Sequence, residues 1–236
     1  SSKESEKNLR ILSVKNLMYI GNIKFSGELE KKDLVDKNLE ILKKKTFWCA
    51  VSTHKGEENI CLNTHINLKK TYNDLITIIV PRHIKRCIEI SNLCEKYNLS
   101  SQILDDKELI NNEKEIIIIN YFGALSKFYN YSKSVFIGKS MIKKLEKVSG
   151  QNPIEAAKLR CKIYHGPYVY NFKEIYDLLK SYKISEEVND EKELYKKLTR
   201  DLKNSEEHED KTAAIISDMG QKILDKTTRE INKLLI

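Results

Sequence analysis

The stretch from Ser149 to Leu159, Ser-Gly-Gln-Asn-Pro-Ile-Glu-Ala-Ala-Lys-Leu, concentrates backbone-shaping residues in a chain with only 8 glycines and 3 prolines. Asn152 is a favoured N-cap, Pro153 suits the first helical position, and Gly150 permits close backbone approach. A helix starting there presents unpaired amides that attract an anion such as a phosphate. The same residues also suit a well-capped structural helix with an acid in its first turn. Further polar clusters follow apolar runs: Ser52-Thr53-His54-Lys55-Gly56-Glu57-Glu58, Pro81-Arg82-His83, Asn120 to Ala124, Gly138-Lys139-Ser140 and His165-Gly166-Pro167. Their hydroxyls, imidazoles and cations could hold a polar, anionic ligand. Each has a plainer use: Pro81 ends a strand, Arg82 caps a helix, and Glu57 and Glu58 form an acidic first turn.

These clusters need a frame. Apolar runs at 46–52, 75–81, 100–104, 115–120, 134–138 and 161–167 predict strands, with helical stretches at 56–70, 84–97, 122–131, 153–160 and 171–182. Continuous apolar strands separated by helices predict a parallel sheet covered on both faces, a doubly wound α/β domain over 46–187. In such sheets ligands bind beyond the carboxyl ends of the strands, where all the clusters fall, so one ligand could touch them all. Residues 1–25 predict a short helix, a strand at Leu17-Met18-Tyr19-Ile20, and then Gly-Asn-Ile-Lys-Phe. Residues 26–45 form a polar connector and a lysine-rich helix, and 188–236 a helical tail with apolar residues at three- and four-residue spacing.

Composition narrows the function classes. With 40% hydrophobic residues over 236 positions the chain can build a sizeable core, and it has no run long and apolar enough to span a membrane. The opening Ser-Ser-Lys-Glu-Ser-Glu-Lys lacks a signal-peptide hydrophobic region. Five cysteines without a CxxC pair read as reduced core thiols, and the histidines, His208 included, lack metal-ligand spacing relative to them. The net charge of +8 favours polyanionic partners in general, but the lysines are dispersed and no nucleic-acid-binding signature occurs, so no nucleic-acid partner is expected.

Ser-Thr-His-Lys-Gly-Glu-Glu (52–58), Ile-Ile-Val-Pro-Arg-His (78–83), Ile-Gly-Lys-Ser (137–140), Gly-Gln-Asn-Pro-Ile-Glu-Ala-Ala-Lys-Leu (150–159) and His-Gly-Pro-Tyr-Val-Tyr-Asn-Phe-Lys-Glu-Ile-Tyr (165–176), in this order, resemble the carboxyl-terminal half of the 3-deoxy-D-manno-octulosonic acid (Kdo) transferases. Ile20 to Phe25 is similar to the segment closing that family's amino-terminal domain. The resemblance covers roughly residues 1–185. It implies the Rossmann-like second domain of a two-domain GT-B glycosyltransferase, with 1–25 a remnant of the first domain. It further implies a CMP-Kdo donor, a lipid A precursor as acceptor bound by the absent half together with the general base, no cofactor, and residence at the cytoplasmic face of the bacterial inner membrane through that absent half.

The resemblance also implies residue roles. Asn152, Pro153, Ile154 and Glu155 match a CMP-binding segment, which assigns the helix start to the phosphate and Glu155 to the ribose hydroxyls. Pro81 and Arg82 match a pair flanking the cytosine, and Phe122, Gly123 and Ala124 occupy a third CMP-binding segment. Lys24 matches a lysine assigned to stabilising the transition state. Ser52, Thr53 and His54 end the first strand facing the donor sugar. The chain departs from the family in places. Asn120-Tyr121-Phe122-Gly123-Ala124-Leu125 stands where the family usually has Asp-Thr-(aromatic or Met)-Gly-Glu-Leu, which removes an acceptor at Ala124. Lys139 and Ser149 replace usual glycines, and Ala156 and Tyr168 replace a common proline and histidine. A chain lacking the acceptor half is expected to bind donor and transfer little; the alternative is a non-catalytic CMP-sugar-binding module.

Overall fold

A computed structural model describes residues 3–27, 33–203 and 209–233. The connector at 28–32 and His208 lie outside the described residues.

Among the described residues, β1 (Phe47–Thr53), β2 (Ile76–Pro81), β3 (Ser101–Leu104), β4 (Ile116–Ile119), β5 (Ser134–Ile137), β6 (Lys162–His165) and β7 (Ser185–Glu187) form one sheet in the order β3-β4-β2-β1-β5-β6-β7. Every pairing is parallel. The expected doubly wound α/β fold is present. Its reason lies in the alternation along each strand. Cys49, Val51, Ile76, Ile78, Ile117, Ile119, Val135 and Ile137 point to one face, and Trp48, Ala50, Ile79, Ile116, Ile118 and Phe136 to the other, all buried. The first face is covered by α5 (Ala124–Tyr129), α6 (Ile154–Lys158), α7 (Lys173–Ser181) and Ile216 of α9 (Glu209–Asn232). The second is covered by α3 (Glu57–Lys69), α4 (Cys87–Lys96) and α8 (Glu191–Lys203). All five cysteines are free and buried, as expected.

Three features differ from the sequence expectation. Residues 17–20 pair with no strand; Tyr19 instead donates its hydroxyl to Glu174 (3.2 Å), and Gly21 packs under Ile223 of α9. The polar segment Ser185–Glu187 forms the edge strand β7 through backbone pairing to β6 alone. Residues Lys143–Val148 form a 3-10 helix.

The amino-terminal segment, with α1 (Lys3–Ile11) and the 3-10 turn Ile23–Phe25, is tied to the domain by α9, and α2 (Asp36–Lys43) leads into β1. A Cβ on Gly220 would sit 2.4 Å from the Phe25 carbonyl, so only glycine allows this approach. Phe25 itself joins the core.

Candidate functional site

The strand order reverses between β1 and β5, so the loops after these strands flank the switch point where ligands of such folds bind. At the end of β1 the pairing with β2 shifts between Val51 and Thr53, making Ser52 a bulge residue with a left-handed backbone (φ 53°). Lys139, after β5, is left-handed too (φ 58°), the conformation glycine adopts without strain. Two non-glycine residues held this way on either side of one crevice mark an over-determined loop pair.

Glu57 supplies the determination. Only 1% exposed, its carboxylate accepts the amides of His54 (2.9 Å) and Lys139 (2.7 Å) on Oε2, and of Ser140 (2.8 Å) and Met141 (3.0 Å) on Oε1. The sequence offered Glu57 as a first-turn acid or as part of a polar cluster able to hold a ligand. It lies in the first turn of α3, but its carboxylate is spent on protein amides, and those four amides are unavailable to a ligand.

The frame continues outward through hydrogen bonds. Ser140 donates its hydroxyl to the Ile137 carbonyl (2.7 Å) and accepts the Gly166 amide (2.8 Å), which stitches the ends of β5 and β6. The Gly150 amide donates to Lys139 O (2.8 Å), and the Asn171 amide to Ser149 O (3.0 Å). Tyr176 donates its hydroxyl to Gln151 O (3.0 Å). This chain of contacts holds the entry to α6.

At that entry Asn152 Oδ1 accepts the Ile154 amide at 3.1 Å, but from the position before the cap and not from the cap itself. The helix is shorter than predicted, five residues from Ile154, with Pro153 at the cap position. A helix of this length carries a weak dipole, so its tip is less electropositive than the pattern 153–160 suggested. Asn152 and Glu155 are half-buried, whereas Pro153 and Ile154 are buried.

The loops after β1 and β2 meet. Arg82 donates its amide to Thr53 O (3.1 Å), its side chain is exposed, and His54 lies edge-on to His83 with ring centroids 5.9 Å apart. His54 Nδ1 donates to Ser52 O (3.1 Å), and burial lowers its pKa below the usual histidine range. Thr53 departs from expectation: its side chain is 0% exposed and its hydroxyl is unpartnered, so it offers a ligand nothing in this arrangement. Pro81 is likewise buried. After β4, Phe122 is 80% exposed and Gly123 takes the left-handed cap of α5 (φ 79°). Ala124 is buried behind them.

The Lys24 carbonyl accepts Lys158 Nζ (3.0 Å), from the last residue of α6. The exposed Lys24 side chain lines a cleft of about 630 Å3 with Tyr19, Asn22, Tyr170, Asn171 and Lys173. A second cleft of about 490 Å3 lies between α3 and α4, lined by Lys55, Asn59, Arg86, Glu89 and Lys96. Neither includes residues 152–155. Among the described residues no cluster of three or more His, Cys, Asp or Glu could hold a metal ion, and no helix is long and apolar enough to cross a membrane.

No protein-family model matches the chain. It is 27% identical over 220 residues to a 3-deoxy-D-manno-octulosonic acid transferase of Haemophilus influenzae, covering 91% of this chain and 49% of that protein. It is 30% identical over 244 residues to the transferase of the same name from Rickettsia bellii, covering 98% and 56%. Among solved structures, the C-terminal CMP-Kdo binding domain of WaaA from Acinetobacter baumannii superposes with a TM-score of 0.64 at 20% identity, covering 80% of this chain and 96% of that domain. The sheet and its helices are thus those of that C-terminal domain. The chain is similar to the Kdo transferases along most of its length and spans about half the length of the curated relatives it matches.

Proposed function

From this relationship to the Kdo transferases, we propose that the chain is the donor-binding half of a glycosyltransferase that moves Kdo from CMP-Kdo to a lipid A precursor in lipopolysaccharide biosynthesis. The observation that carries the reading is the gathering of the family-like motifs at the carboxyl ends of one parallel sheet, around its switch point. In this reading the phosphate lies before α6 near Asn152 and Gly150, and Glu155 accepts from the ribose hydroxyls. Arg82 and the backbone of Pro81 flank the base, Phe122 and Gly123 close its far side, and Ser52 and His54 face the sugar. Lys24 stabilises the negative charge that grows on the departing phosphate, an interaction stronger in the transition state than before it. The transfer is inverting: the acceptor hydroxyl forms a bond to the anomeric carbon as the bond to phosphate breaks. The base that removes the hydroxyl proton, the acceptor site and the attachment to the inner membrane belong to the half of the relatives that this chain does not match.

Titrating CMP calorimetrically against wild type and Glu155→Ala tests the donor site. Loss of a charged hydrogen-bond acceptor weakens binding by about 10- to 100-fold, and equal affinities refute the ribose role. Given CMP-Kdo and a lipid acceptor, the chain alone turns over little; sustained turnover refutes the assignment of the base to the other half.

A second reading, a non-catalytic CMP-sugar-binding module, is favoured by buried Ala124, which leaves no carboxylate where the family usually has one. Supplying the acceptor half of a relative in trans separates the two: restored transfer supports the enzyme, and donor binding without transfer supports the module.

A further inference from the structure

The 3-10 helix Lys143–Val148, on the loop that leaves β5 and returns to Gly150, has no part in the donor reading. Three residues per turn bring positions i and i+3 into line, so the helix carries three stripes. Lys144 and Lys147 form a basic stripe, Lys143 and Glu146 a mixed one, and Leu145 and Val148 an apolar one. Lys143, Lys144 and Lys147 are exposed, and none pairs its ammonium with a described residue. With Lys139, residues 139–148 hold four lysines against Glu146 alone. The outer end of the apolar stripe is uncovered: Val148 is 53% exposed. Beside it stands Tyr170, 50% exposed, fixed there because its amide donates to Ser149 Oγ (3.2 Å) and Asn171 Nδ2 donates to Val148 O (2.9 Å). Acids nearby on α7 have partners: Asp177 pairs with Lys173 (3.6 Å), and Glu174 accepts from Tyr19.

We propose that this turn, with Val148 and Tyr170, is a contact surface for the anionic face of a lipid bilayer. The exposed lysines meet anionic headgroups, while an aliphatic side chain and a tyrosine reach the headgroup–acyl boundary, where amphipathic rings reside. The apolar pair distinguishes a bilayer from a soluble polyanion, which Val148 would not serve. Because Tyr170 also lines the cleft holding Lys24, docking there brings that cleft against the lipid surface. Three lysines and two apolar side chains make a weak contact, one that orients the molecule and adds to any second anchor.

The test needs no nucleotide and is independent of the donor reading. The 236-residue chain is sedimented with vesicles of phosphatidylcholine, with and without phosphatidylglycerol. Binding to the anionic vesicles is expected to fall about a hundredfold in K143Q/K144Q/K147Q. It is expected to fall several-fold in V148S/Y170S. The control K43Q/K44Q/K70Q removes equal charge at the opposite end of the sheet and changes binding by less than about threefold. Circular dichroism verifies that each variant is folded. The proposal is overturned if anionic vesicles are not preferred, if K143Q/K144Q/K147Q binds like wild type, if both triple variants lose binding equally, or if a DNA duplex displaces the vesicles and binds V148S/Y170S undiminished.

Discussion

Glu57 reaches across the switch point to Ser140, whose backbone amide donates to its Oε1 at 2.8 Å from a position 83 residues further along the chain. With the three other amides on the same carboxylate, this joins the loops after β1 and β5 into one rigid rim. Glu57→Gln turns part of the acceptor group into a donor facing N–H groups. A loss of about 2–4 kcal/mol in urea unfolding is expected, with hydrogen exchange at residues 139–141 speeding up before the rest of the sheet. Unchanged exchange at those amides would remove Glu57 from this role.

Gly138 and Gly166 make that rim possible. An added Cβ at Gly138 would lie 2.7 Å from Glu57 Oε2 and 2.8 Å from Ser52 O, and one at Gly166 would lie 2.2 Å from Ser140 O. Either alanine substitution is expected to cost about 3 kcal/mol or more. Gly56→Ala, where the space is open but φ is 102°, costs about 1 kcal/mol. Thermal unfolding of the three variants gives the ranking.

Two buried histidines make stability depend on pH. Burial lowers both His65 and His165 to about 4 from 6.5. His65 Nδ1 lies 2.8 Å from Thr77 Oγ1, and His165 Nδ1 donates to Gly166 O at 2.7 Å; the Nε2 atom of each has no partner. The folded rings stay neutral while the unfolded chain takes up protons below pH 6.5. Their stability contribution, on the order of 3 kcal/mol each, is therefore complete above that pH and is lost as pH falls towards 4. Urea midpoints should begin to decline near pH 6.5, before carboxylates titrate; constant midpoints from about pH 7 to about pH 5 would contradict this.

Arg86 grips Glu58 with two bonds, Nη1 to Oε1 at 2.7 Å and Nη2 to Oε2 at 3.2 Å, and Glu58 is 1% exposed. Burial acts to lower the Arg86 pKa, but Glu58 and Glu89 hold it above its usual value. Arg86→Met strands the carboxylate and should cost about 3–5 kcal/mol, while the double variant with Glu58→Met recovers most of that. A double-mutant cycle by urea denaturation measures the coupling; additive losses would show that the pair is not coupled.

The sheet was legible because β1, β2, β4 and β5 are buried on both faces and read as unbroken apolar runs. β7 was not, because Ser185-Glu186-Glu187 has no apolar run and joins the sheet through its backbone. Leu17 to Ile20 failed the opposite way: it is apolar, but α7 and α9 supply side-chain contacts and no strand edge.

Residue types placed the polar clusters at the carboxyl end of the sheet and a helix start just after Asn152, since both depend on neighbours a few positions apart; the cap itself fell one residue later, on Pro153. Local sequence could not distinguish a solvated first-turn acid from Glu57, whose partners at 139–141 arrive only when β5 lies beside β1. Nor could it separate Thr53, sealed in the core, from exposed Arg82 across the same strand pair. Pattern along the chain encodes which faces shun water; which loops meet, and which polar groups they consume, is settled by long-range packing.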